Sequence, residues 1–275
     1  MKKSFGQHLL TDKNYLKKIL NEMDLKRDDS VLEIGSGTGL LTCLLAQNSK
    51  KVFAVEPEKG ILKKLKENLA VNNVKNVEIV EADFLDLDLT EMLNSSGIVV
   101  GNIPYNITSK ILIKLFGEID KPVPHIGLLK RVYLMLQYEV AKRIVSSPNT
   151  KDYSPLTLLV QYFSCPKILF KVPRGVFYPV PRVDSAFVRL DIKKNLQTIK
   201  NPSLLKNVIR ISFQQRRKKV INALSKLCEN KDLLGEIFTK LHLDHNLRAE
   251  NLEFEKFLAI SDILDVSNYR HASIF

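Results

Sequence analysis

Ser30-Val31-Leu32-Glu33-Ile34-Gly35-Ser36-Gly37-Thr38-Gly39 decides the fold. A short apolar run, Ser30–Ile34, ends in three glycines spaced GxGxG, and a helical stretch follows from Leu40 to about Gln47. Strand, glycine-rich turn and helix are how an α/β sheet binds a nucleotide-like ligand at the carboxyl edge of its strands. Gly35, Gly37 and Gly39 allow a tight turn and let a ligand approach the backbone where a β-carbon would collide. Glu56 follows a second strand, Lys51–Val55, and a carboxylate there is placed to accept both hydroxyls of a ribose. The spacing is not the GxGxxG of a dinucleotide site, which disfavours a dehydrogenase.

The pattern continues outward from this unit. Pro57 suits the first turn of a helix carrying Ile61, Leu65 and Leu69 on one face. Val77–Val80 reads as a third strand and Ile98–Gly101 as a fourth. After the third strand, Asp83 falls at the same sheet edge as Gly35 and Glu56, where its carboxylate can accept from an adenine amine. Upstream, Asp12 can cap a helix through Leu16, Ile19, Leu20 and Met23. Downstream, Ile126–Leu136 reads as a strand, Gln137–Val145 and Ser154–Phe163 as helices, and Ile168–Val172 and Ala186–Ile192 as strands. Alternation of this kind predicts an α/β fold, a mostly parallel sheet with helices on both faces. From Ser203 to Leu264 only helical periodicity remains. The expected domains are 1–194, holding the sheet, and 195–275, small and all-helical.

Bulk properties narrow the classes. The 275 residues are 45% hydrophobic, enough for a substantial core. No apolar run approaches the roughly 18 residues of a membrane span, and Met1-Lys2-Lys3-Ser4 does not open a signal peptide. The expected location is the cytoplasm and the default state a monomer. The three cysteines form no CxxC pair and the five histidines show no metal-ligand spacing, so neither a disulfide framework nor a metal site is expected. A net charge of +12 suits a polyanionic partner. The densest cluster, Arg216-Arg217-Lys218-Lys219, is read as an RNA phosphate contact, with a solvated helix face as the bland alternative.

Gly101-Asn102-Ile103-Pro104-Tyr105 follows the fourth strand. It resembles the [N/D]-x-P-[Y/F] loop of methyltransferases that act on exocyclic amines, as Val31–Gly39 resembles the first motif of class I methyltransferases. An adenine amine is a poor nucleophile because its lone pair is delocalised into the ring. Hydrogen bonds from both of its N–H groups, to the side-chain oxygen of Asn102 and the carbonyl of Ile103, favour a pyramidal nitrogen with a localised lone pair. Pro104 stiffens the loop and biases Ile103 to an extended backbone. Tyr105 offers a face for the base, a contact worth roughly 1–3 kcal/mol. Alone, this pattern is also an ordinary strand-ending turn; after Gly35, Glu56 and Asp83 in that order, it reads as catalytic. The implied cofactor is S-adenosylmethionine, whose sulfonium makes a metal or covalent intermediate unnecessary.

Four further motifs carry a closer resemblance: Phe5-Gly6-Gln7-His8-Leu9-Leu10, Leu134–Ala141, Phe177-Tyr178-Pro179-Val180-Pro181-Arg182-Val183-Asp184-Ser185-Ala186, and Phe213–Lys219. In that order the chain resembles the small-subunit (16S) rRNA adenine dimethyltransferases, from about Phe5 to Leu224 and more loosely beyond. The resemblance implies a Rossmann-like fold and a cofactor site at His8, Leu10, Gly35, Gly37, Glu56, Asp83 and Asn102. It implies a target adenine between Tyr105 and Phe177, with its amine at Asn102. It implies four methyl groups on two adjacent adenosines in a hairpin loop near the 3′ end of small-subunit rRNA, with the small subunit or its precursor as partner in ribosome biogenesis. By itself, Phe177 reads as a core aromatic before a proline-rich turn.

Departures and alternatives stay open at this point. His8 stands where many members have Asn, and Ser36 where Pro is common. Ile103 is common in the related large-subunit rRNA methyltransferases of macrolide resistance. Gln137–Lys142 and Ser154-Pro155-Leu156-Thr157 favour the small-subunit group. DNA methylation is disfavoured because no target-recognition domain is evident. A non-catalytic nucleic-acid-binding factor on this scaffold is disfavoured by the intact Asn102–Tyr105 loop.

Overall fold

The glycine turn sits where the sheet reverses its strand order. The computed structural model describes residues 8–93, 97–228 and 231–266; Phe5, Gly6 and Gln7 of the opening motif lie outside the described residues. In chain order the first elements are β1 (Leu9–Leu10), α1 (Lys13–Met23), β2 (Ser30–Ile34), α2 (Leu40–Asn48), β3 (Lys51–Val55), α3 (Lys59–Val71), β4 (Val77–Val80), α4 (Thr90–Leu93), β5 (Ile98–Asn102) and α5 (Thr108–Phe116). There follow β6 (Gly117–Glu118), β7 (Lys121–Pro122), β8 (Arg131–Gln137), α6 (Tyr138–Ile144), α7 (Pro155–Phe163), β9 (Ser164–Val172), β10 (Phe177–Tyr178) and β11 (Ser185–Ile192). Helices α8 (Pro202–Gln214), α9 (Val220–Leu224), α10 (Lys231–Lys240) and α11 (Phe254–Val266) complete the chain.

Seven strands form one sheet in the order β4-β3-β2-β5-β8-β11-β9. β4 to β8 run parallel, and β11 lies antiparallel to both β8 and β9. From β2 the chain steps outward through β3 to β4, then returns to β5 on the other side. The crevice beyond the carboxyl ends of β2 and β5 is therefore the topological switch point, where open α/β sheets bind ligands. All of β2 is buried, as a strand covered on both faces requires.

Local chemistry explains most boundaries. The Asp12 carboxylate caps α1, accepting from the backbone N–H of Asn14 at 2.8 Å and Tyr15 at 3.1 Å. Pro57 lies before the N-cap Glu58 instead of inside the helix, because Glu56 and Glu58 shape the turn ahead of α3. The expected strand Ile126–Leu136 is half wrong. Pro124 starts a 3-10 turn to Leu128, and the strand begins only at Arg131. β9 begins earlier than expected, at Ser164, because Pro166 is tolerated on an edge strand.

The chain divides into two compact units. The first comprises Met1–Gly117, Val123–Lys142 and Phe163–Lys194; the second comprises Glu118–Pro122, Arg143–Tyr162 and Asn195–Phe275. The sheet unit is built around Val31, Val52, Val100, Tyr133, Met135 and Phe187. The helical unit is built around Leu204, Val208, Leu224, Phe238, Phe257 and Ile260. The expected boundary at 194/195 assigned residues 143–162 to the sheet. The structure gives them to the helical unit because Tyr153 and Leu158 are buried in its core. Among the described residues, no helix is long and apolar enough to cross a membrane.

Candidate functional site

The loop after β2 turns through Gly35, Gly37 and Gly39, all at positive φ (70°, 54° and 86°). At Gly37 the constraint is double, since a β-carbon would also lie 2.8 Å from the Leu9 Cδ2 atom. The Gly37 N–H donates to Glu56 Oε2 at 2.9 Å, and the Glu58 N–H donates to Glu56 Oε1 at 3.1 Å. Glu56, 1% exposed, thus ties the glycine turn to the end of β3. Burial raises its carboxyl pKa while these backbone donors pull it back. Each carboxylate oxygen keeps acceptor capacity for a further donor.

Glu33 was not singled out by sequence reasoning. It sits within β2, 2% exposed, and accepts a 2.6 Å hydrogen bond from the Thr42 hydroxyl. Burial pushes its carboxyl up to about 7. It lines a 40 Å³ cavity together with Leu10, Gly35, Ser36 and Asn102. The buried Ser36 hydroxyl has no hydrogen-bond partner among the described residues. The available signal was one carboxylate inside the apolar run Val31–Ile34. Asp83, one strand further out after β4, is exposed and caps a 3-10 turn by accepting from the Leu85 N–H at 2.9 Å.

Across the switch point, Asn102 ends β5. Its Nδ2 donates to the His8 carbonyl at 2.7 Å, which fixes the carboxamide and leaves Oδ1 as its acceptor. Ile103 is buried, and Pro104 (φ −60°, ψ 131°) leads into the 3-10 turn Tyr105–Ile107. The Tyr105 hydroxyl pairs with Ser185 Oγ at 2.6 Å, and its ring lies 5.3 Å from the His8 ring. Burial raises the phenol pKa, with the Ser185 hydrogen bond opposing it. His8 is held in turn by its Nδ1–H, which donates to the Pro179 carbonyl at 2.7 Å.

β1 and β10 form a two-stranded ribbon pairing Leu10 with Phe177 and Leu9 with Tyr178. This ribbon brings the N-terminal motif to the proline-rich motif. Phe177 faces inward, 2% exposed, in the core with Leu10 and Leu16. It displays no open face for a base in this structure, and the aromatic that strand alternation turns outward is Tyr178, 68% exposed. The basic cluster also divides. Arg216 donates to Glu250 at 2.7 Å and to the carbonyls of Thr150 and Lys151, so it holds the helical unit together; Arg217, Lys218 and Lys219 are exposed. Among the described residues no His, Cys, Asp or Glu group has the clustering of a metal site.

A mostly parallel sheet with its glycine turn, buried post-strand carboxylate and Asn-Ile-Pro-Tyr loop around one switch point has the Rossmann-like architecture of class I methyltransferases. The family model described as ribosomal RNA adenine dimethylase matches residues 1–266, and the chain belongs to that family of methyltransferases. It is 39% identical to a ribosomal RNA small subunit methyltransferase A of Francisella tularensis subsp. novicida, over 96% of this chain and 97% of the relative. A relative of the same description from Lachnoclostridium phytofermentans is 37% identical, covering 96% and 91%. Among solved structures, a dimethyladenosine transferase from Plasmodium falciparum superposes with a TM-score of 0.78 at 28% identity, covering 95% of this chain and 99% of that one. The 23S rRNA methyltransferase ErmE gives 0.69 at 25% identity, covering 94% and 99%.

Proposed function

We propose that this enzyme transfers methyl groups from S-adenosylmethionine to the exocyclic amines of two adjacent adenosines in the 3′-terminal hairpin loop of small-subunit rRNA. The observation that carries this reading is the fixed carboxamide of Asn102, whose Nδ2 is engaged by the His8 carbonyl at the end of β5. Its Oδ1 and the Ile103 carbonyl accept from the two amine N–H groups and localise the nitrogen lone pair. After the first transfer one N–H remains, and one acceptor suffices to orient it. Tyr105, locked by Ser185, supplies a stacking face.

The cradle suits the cofactor. Gly37 turns at positive φ with the tip of Leu9 against it, Glu56 is buried with lone pairs to spare, and the Ser36 hydroxyl is unpartnered beside them. Glu56 would hold the ribose hydroxyls, Asp83 the adenine amine, and the backbone around His8, Leu10 and Gly35 the methionine portion. When bound, S-adenosylmethionine supplies an electrophilic methyl on a sulfonium. The chain's part is alignment of the amine and exclusion of water.

The relatives named for the small subunit support small- over large-subunit rRNA. Arg217, Lys218 and Lys219 would meet RNA phosphate, and we read the protein as a cytoplasmic monomer acting on the small subunit or its precursor. The test is transfer of a labelled methyl from S-adenosylmethionine to unmethylated small subunits, with nucleosides identified after digestion. Dimethyladenosine is the expected product, made by the parent and absent with Asn102→Ala; transfer to another base would overturn the reading.

A further inference from the structure

A cavity of 670 Å³ opens within the helical unit between α7, the segment before it, and α8. Its volume falls in the roughly 300–1,000 Å³ range of small-ligand sites. One wall is apolar: Leu156 and Leu159 from α7, and Ile209 and Phe213 one turn apart on α8. The Phe213 ring is held in place by Tyr153 and Phe257, with centroids 6.2 Å and 5.9 Å away. Three exposed cations also line it: Arg143, Lys151 and Arg210. None of the three forms an ion pair with a described residue. Their neighbours differ, since Lys206 is committed to Glu118 and Asp120, and Arg216 to Glu250.

A flat apolar wall under unpaired cations fits a ligand that is aromatic and anionic at once. We propose that this cavity takes an unstacked nucleotide of the substrate RNA, a second base-binding site apart from the methyl-transfer site. The base lies along Phe213, Ile209 and Leu156, its phosphates meet Arg143, Lys151 and Arg210, and Asp152 accepts from an exocyclic amine. An acidic protein segment fits less well, because its carboxylates would meet the cations but offer no planar ring to the apolar wall of Leu156, Ile209 and Phe213. The proposal rests on the reading of this chain as an rRNA methyltransferase.

The test uses the full-length protein and small subunits carrying 4-thiouridine or 6-thioguanosine. Dissociation constants are measured for the parent, Arg143→Glu and Arg210→Glu, with Arg210→Ala as the milder variant should a reversal unfold. Irradiation and mass spectrometry then map the crosslinked peptides. Each reversal should weaken subunit binding at least tenfold while the affinity for S-adenosylmethionine, followed by calorimetry, stays at the parental value. A crosslink should fall within 151–159 or 209–213. Unchanged subunit affinity in the variants, or a ribosomal protein crosslinked into the cavity, would overturn the proposal. Binding does not require turnover, so loss of methyl transfer in the parent would refute the proposed reaction and leave this result readable.

Discussion

Asn102 is held at one end by the His8 carbonyl, which leaves its Oδ1 as an acceptor. Asn102→Ala should lower methyl transfer by at least 100-fold, as expected when an interaction specific to the transition state is lost, with an unchanged thermal midpoint by circular dichroism. Glu56→Ala should weaken S-adenosylmethionine binding measured calorimetrically, and equal affinity would remove the ribose role. Glu33 predicts a pH dependence. Its folded pKa, about 7, lies above the ordinary glutamate value of 4.5, so the unfolded chain loses its proton first as pH rises. The parent should therefore lose stability between about pH 4.5 and 7, by about 3 kcal/mol. Urea unfolding across that range should show the loss in the parent and its absence in Glu33→Gln. Asn102, Glu56 and Gly37 were legible because spacing from the glycine turn places them. Phe177 by itself read as a core aromatic and is buried, 2% exposed; it is the open face toward a base, implied by the resemblance alone, that this structure does not display, and the aromatic turned outward is Tyr178.

At the scale of elements, a cap and a ribbon behave differently. Asp12 is a local device, and Asp12→Ala should cost roughly 0.5–2 kcal/mol, seen as a thermal midpoint a few degrees lower with methyl transfer retained. The strands β2, β3, β4 and β5 were readable for the same reason, since each is an apolar run bounded by its own turn. The ribbon of β1 and β10 depends on partners about 170 positions apart, such as Leu10 and Phe177, and no local signal announces it. The segment 124–130 misled for a related reason. Its apolar residues suit a strand, but Pro124 and the turn it starts delay pairing until Arg131.

The whole molecule carries a charge of +12, and its distribution matters more than its sum. Arg216 is consumed by Glu250, so neutralising Arg217, Lys218 and Lys219 should flatten the salt dependence of RNA binding, while an unchanged slope would make them a solvated surface. The discontinuous helical unit was illegible, since nothing local in Arg143–Tyr162 says that Tyr153 and Leu158 are buried in a core completed by residues after 195. The central claim, adenine dimethylation of small-subunit rRNA, is tested most directly by offering the enzyme purified undermethylated small and large subunits side by side. Modified bases are then mapped by mass spectrometry. Two adjacent dimethyladenosines in the 3′-terminal hairpin of small-subunit rRNA, with large subunits unmodified, is the predicted result. Modification of a large-subunit adenosine, or of no adenosine in either subunit, would contradict it.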